Sequence, residues 1–156
     1  MSPEHQEVIN RIRSSAETLR RAVEAVPAGK HAHHPSDGEW SAQETLIHVC
    51  NVVVMVHGLR IRRLLYETDP LFADYDEAAN REASLQQPEP LSDLLHMIVA
   101  EHEQIARLLK TLPDASWQRQ GRHPELGTMS IEFLARRVAE HAEEHAAQIM
   151  NTARML

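Results

Sequence analysis

A chain of 156 residues is long enough for one domain with a sizeable core, and 42% hydrophobic with 25% charged residues is a folded rather than a disordered composition. The formal net charge of -7, with no basic stripe to offset the acids, excludes nucleic acid as the main partner. One cysteine, Cys50, excludes an internal disulfide framework, and MSPEHQEVIN lacks the apolar stretch of a secretory signal, so the chain reads as cytoplasmic with no membrane segment.

Four segments carry helical periodicity and none reads as a strand. The first runs from about Pro3 to Val26, with Val8, Ile12, Leu19 and Val23 on one stripe, Ser2 as its cap and Pro3 in its first turn. The loop PAGKHAHHPSDGE follows, and its histidines His31, His33 and His34 are expected to be solvated.

The second helix opens at WSAQE, where Ser41 and Glu44 form a capping box, and continues to about Tyr66. Its longest uninterrupted apolar run, VVVMV, is too short to span a bilayer. The inward stripe is Thr45, His48, Val52, Met55 and Leu59. Regular geometry places His57, nine residues after His48, half a turn away and facing elsewhere. Cys50 also points away and is expected to be neither ligand nor nucleophile. Arg60, Arg62 and Arg63 are expected to pair with acids of the next segment; holding an anionic substrate is their second reading.

That segment, TDPLFADYDEAANREASLQQPEP, is a long acidic crossover with room for a short helix around Asp76 to Ala83. A third helix follows Pro90 and stops before Pro113, with Ile98, His102, Ile105 and Leu109 on its stripe. His102 is expected to be a core histidine rather than a fourth ligand or proton carrier. In the loop PDASWQRQGRHPELGT, His123 is expected at the surface. Trp40 and Trp117 are expected to pack the ends of the bundle, and Met55 and Met97 to fill the core.

The fourth helix starts at about Ser130 and runs to the C-terminus. Its stripe is Ile131, Leu134, Val138, His141, His145 and Ile149, while Arg136, Glu140, Glu143 and Glu144 fall largely elsewhere. Four long helices and a long crossover describe one all-α domain over residues 1–156, a four-helix bundle whose order need not be simple up-and-down.

Three histidines on two helices thus face one interior. A lone imidazole on an apolar face is ordinarily a hydrogen-bonded core residue. Three together would each need a partner, and protonating them would set like charges side by side. A divalent ion is the other solution, since each ring then uses one nitrogen on the metal and the other on a carboxylate or carbonyl. Glu44 and Glu144 are candidates for that orienting role, although solvated surface positions explain both. HAEEH matches the H-x-x-E-H protease pattern, but such sites need a further acidic ligand well downstream, beyond the eleven residues after His145. A di-iron bundle needs Glu three residues before its histidines, and the inward histidines have none.

GEWSAQETLIHVCNV, LRIRRLLYETDPLF and GRHPELGTMSIEFLARRVAEHAEEHAAQI, in this order and spacing, resemble the DinB-like, or DinB/YfiT-like, four-helix bundles over nearly the whole chain. The resemblance implies a divalent metal ion (zinc, nickel or iron) held by His48, His141 and His145. Relatives with known activity transfer or rearrange thiols, being bacillithiol S-transferases and mycothiol-dependent isomerases. It further implies a homodimer acting on a small-molecule thiol and an electrophilic substrate. Three protein ligands leave coordination positions open, as catalytic sites do, so thiol S-transfer or hydrolysis is expected. The competing expectation is a non-catalytic metal-binding stress-response or dimeric interaction module.

Overall fold

The computed structural model describes residues 1–156. Helix α1 (Pro3–Glu24) begins where the Ser2 side chain accepts from the His5 N–H, and Pro3 occupies the first turn, where no donor is needed. Helix α2 (Ala42–Val52) begins at the capping box of Ser41 and Glu44. It runs unbroken into a π-helical segment, Val53–Gly58, and then α3 (Leu59–Tyr66). The crossover carries α4 (Glu77–Gln86), capped by Asp76, and leads to α5 (Leu91–Lys110). After a 3₁₀ turn (Asp114–Gln118) come β1 (Gln120–His123), β2 (Gly127–Ser130) and α6 (Ile131–Met155), capped by Ser130.

α1 packs on α5 and α6, and the α2–α3 rod packs on the same two helices from the opposite side. Sequential neighbours α1 and α2, and likewise α5 and α6, therefore sit on diagonals. The long connections make this order feasible. Apolar stripes meet along the common axis, where Ile9, Ile12, Leu46, Ile61, Ile98, Ile105 and Ile149 are almost fully buried. Length and apolar content alone would let Ala42–Tyr66 cross a bilayer, but 56% of its most apolar window is buried inside the bundle.

Two expectations change here. β1 and β2 form an antiparallel hairpin pairing Gln120 with Ser130 and His123 with Gly127, in a stretch read from the sequence as loop. Its turn needs Gly127 at φ +82°, which favours glycine. Leu71 joins Arg122 in a parallel bridge, and the Phe72 N–H donates to the Arg122 carbonyl at 2.7 Å. The crossover is thereby tied to the hairpin. Strands of four residues with mixed polarity leave no period-two signature, so the sequence does not display them.

The second change is the π segment. A π turn absorbs one extra residue, so every later side chain on the rod is set back by about 100°. Met55 and Leu59 consequently lie half-exposed, at 51% and 46%, rather than on the inward stripe. His57 and Arg60 turn inward in their place and are buried. Met97 on α5 is also surface-facing, not core filler.

Candidate metal centre

α2 brings His48, and α6 brings His141 and His145, to one place at the edge of the bundle core. His141 is buried; His48 and His145 keep partial contact with solvent. The ring centroids lie 4.9 Å (His48–His141), 4.7 Å (His48–His145) and 4.5 Å (His141–His145) apart. One nitrogen from each ring lies within 4.8 Å of the other two. Spacing of four on α6 aligns its pair, and the diagonal order of the bundle sets α2 against it.

The outer nitrogens are occupied. His48 Nδ1–H donates to Glu77 Oε1 at 2.7 Å, and His145 Nδ1–H donates to Gln148 Oε1 at 2.7 Å. Both Nε2 atoms are therefore left as lone-pair donors. His48 Nε2 and His141 Nε2 face each other at 3.0 Å. One ring proton can satisfy that pair, whereas one cation can satisfy all three rings. Burial, together with the neighbouring histidines, pushes the His141 pKa down to about 2. Burial lowers His145 as well, against the raising influence of Gln148. These two rings are thus neutral at ordinary pH, the form in which imidazole offers a lone pair to a metal.

Glu77 is the side chain that sequence reasoning misses. It sits in the first turn of α4, where it also pairs with Arg81, and Arg81 lies 4.2 Å over the Trp40 ring. Trp40 in turn lies 5.2 Å from His48, so it walls the histidine cluster as well as packing the bundle end. Glu44 is spent on the α2 cap and on His34, and Glu144 pairs with Arg137; neither touches the cluster.

The remaining candidates separate. His57 is buried with its ring 5.5 Å from His141, edge to face, and burial pushes its pKa to about 3. It is a fourth ring beside the cluster, contrary to the regular-helix expectation. His102 is a core histidine, its Nδ1 bonding the Ile12 carbonyl at 2.8 Å. His123 is buried rather than at the surface, and its Nδ1 accepts from the N–H groups of Glu125 and Leu126, closing the hairpin turn. Cys50 is buried and burial raises its pKa to about 11, which suits neither ligand nor nucleophile. Arg62 pairs with Glu101 and Arg63 with Glu67, but Arg60 joins no carboxylate. Trp117 is fully buried and stacks on His5 at 3.9 Å.

The family model of the DinB superfamily matches residues 11–149. A candidate metal-dependent hydrolase of Oceanobacillus iheyensis is 27% identical over 112 residues, 72% of this chain and 64% of its own length. The chain thus spans less than two thirds of that curated relative. Among solved structures, YfiT from Bacillus subtilis, described as a probable metal-dependent hydrolase with an unusual four-helix bundle topology, is similar with TM-score 0.88. The likeness covers 99% of this chain and 89% of that one, at 24% identity.

Proposed function

The chain belongs to the DinB superfamily, and from that premise we propose that His48, His141 and His145 hold a divalent metal ion in a metal-dependent enzyme, best read as a hydrolase. The observation that carries the reading is the donor set. Neutral imidazole nitrogens converge, while the outer nitrogens of two rings are already fixed by Glu77 and Gln148. Such a set fits zinc, nickel or iron, all of which accept imidazole. When bound, the ion supplies positive charge that brings a water or a thiol toward ionisation near neutral pH.

The chain's own residues do the rest. The Glu77 carboxylate fixes the His48 tautomer and aims Nε2 inward, and Arg81 holds Glu77 in place. Gln148 does the same for His145. Trp40 shields the His48 edge from bulk water. Hydrolase naming among the relatives favours water as the nucleophile over the thiol of an S-transferase. Association as a two-fold pair belongs to the same proposal, and sedimentation velocity tests it.

Elemental analysis of untagged protein beside His141→Ala is the direct test. The natural chain should carry close to one equivalent of metal and the variant almost none. Equal metal in both would overturn the site. Metal without hydrolysis of an ester and amide panel, or conjugation of electrophiles by small thiols, would favour the non-catalytic module.

A further inference from the structure

The π segment turns a second residue inward besides His57. In a regular helix Arg60 would lie roughly 120° around the rod from His48; with one residue absorbed it comes to within roughly 20°. Arg60 is only 7% exposed. Its polar contacts are a 3.1 Å bond to the Ala73 carbonyl and a 3.7 Å approach to the Met129 sulfur, with the Phe72 ring 5.4 Å away. A buried cation without an anion is costly, and such groups are ordinarily paired. Burial lowers its pKa, and only the largely solvated Asp74 offsets this.

Arg60 lines a cavity of about 180 Å³ whose apolar walls are Met55, Leu59 and Phe72. Arg63 is at the same cavity, but its guanidinium is taken up by Glu67 and the Leu71 carbonyl. Tyr75 lines it too, and its buried Oη has no hydrogen-bond partner in the protein. A cation with no carboxylate partner and a tyrosine with an unpartnered hydroxyl therefore border a mainly apolar space that Asp74 also lines. None of the histidines lines the cavity, but two segments that border it continue to the cluster. His57, one turn before Arg60, is 5.5 Å from His141, and Glu77, two residues after Tyr75, bonds His48.

We propose that this cavity seats the carboxylate of a small organic acid with an apolar arm, paired to Arg60 and hydrogen-bonded by the Tyr75 hydroxyl. A single free guanidinium suits a monoanion, and Asp74 at the cavity disfavours a doubly charged phosphate. The occupant counts as substrate only on the reading of the preceding subsection; its binding stands independently.

The test uses the full chain, metal-free and metal-loaded, titrated with benzoate and with neutral benzamide by calorimetry. A cavity of roughly 150 Å³ already admits benzene, so both probes are of the right size. Benzoate should bind both forms, with benzamide at least about tenfold weaker. Arg60→Met should weaken benzoate at least about tenfold, and Tyr75→Phe about threefold, with metal content unchanged. Equal affinity for the two probes, or unchanged benzoate affinity in Arg60→Met, overturns the assignment. Should Arg60→Met fail to fold by circular dichroism, Arg60→Lys and Tyr75→Phe decide. Retained binding in the lysine variant with loss in Tyr75→Phe supports the seat, and no loss in Tyr75→Phe overturns it. Metal analysis of the same preparations reads the metal site separately. Loss of one result with survival of the other identifies which claim fails.

Discussion

Glu77 decides which nitrogen His48 turns inward, and this single hydrogen bond orients one of the three donors. Glu77→Gln keeps the shape but weakens the acceptor that fixes the tautomer, so metal affinity should fall about 10- to 100-fold while the fold persists. Competition with a chelator, run beside circular dichroism, measures both; unchanged affinity would remove Glu77 from the site. His48, His141 and His145 are legible in the sequence because periodicity and spacing place all three on inward stripes. Glu77 is not, because it lies 29 residues from His48 on a different helix and no repeat links them. Glu44 and Glu144 attract attention only by lying one turn or less from a histidine, and their actual partners are a helix cap and Arg137.

At the scale of elements, the π segment separates what a regular helix would present from what the protein presents. Ser41, Asp76 and Ser130 punctuate the helix starts plainly enough to be read, and the apolar stripes of α1, α5 and α6 emerge as expected. Residues 53–58, VVMVHG, contain no breaker except the terminal glycine, so nothing in them announces a wider turn. Gly58 has a reason of its own to be glycine. A Cβ there would meet the Glu101 carboxylate and lie 2.7 Å from the Val53 carbonyl. Gly58→Ala should therefore destabilise the fold by about 1–3 kcal/mol, read as a lower urea midpoint. A neutral substitution would mean that the segment relaxes freely. Gly121 poses a similar constraint in β1, where an added methyl would lie 2.6 Å from the Phe72 ring and 2.9 Å from the Pro70 carbonyl. Gly121→Ala should loosen the crossover and expose Phe72, detectable as faster amide exchange around residues 70–75.

Across the whole molecule, buried neutral histidines couple stability to pH. Burial lowers the pKa of His102 below its ordinary value of about 6.5, against the raising effect of the Ile12 carbonyl. Between the folded value and about 6.5 the unfolded chain holds more protons than the folded one, so stability is lost as pH falls through that window. One such group gives a slope of up to about 1.4 kcal/mol per pH unit. Urea unfolding of metal-free protein at about pH 7.5 and about pH 5.5 should show the loss, and His102→Leu should reduce it by that one group's share. An unchanged slope in the variant would place the coupling elsewhere. Metal addition should raise the unfolding temperature, and further with each increase in free metal concentration, because only the folded chain assembles the donor set. The diagonal placement of successive helices sets α2 against α6, so the donor set joins two elements far apart in the chain.

The most direct check on the three-histidine centre is X-ray absorption at the edge of the bound metal, which counts the imidazoles around it. The account predicts three imidazole ligands in the natural chain, falling to two in His145→Ala reconstituted with excess metal. A spectrum with one imidazole or none, or one unaltered by that substitution, would contradict it.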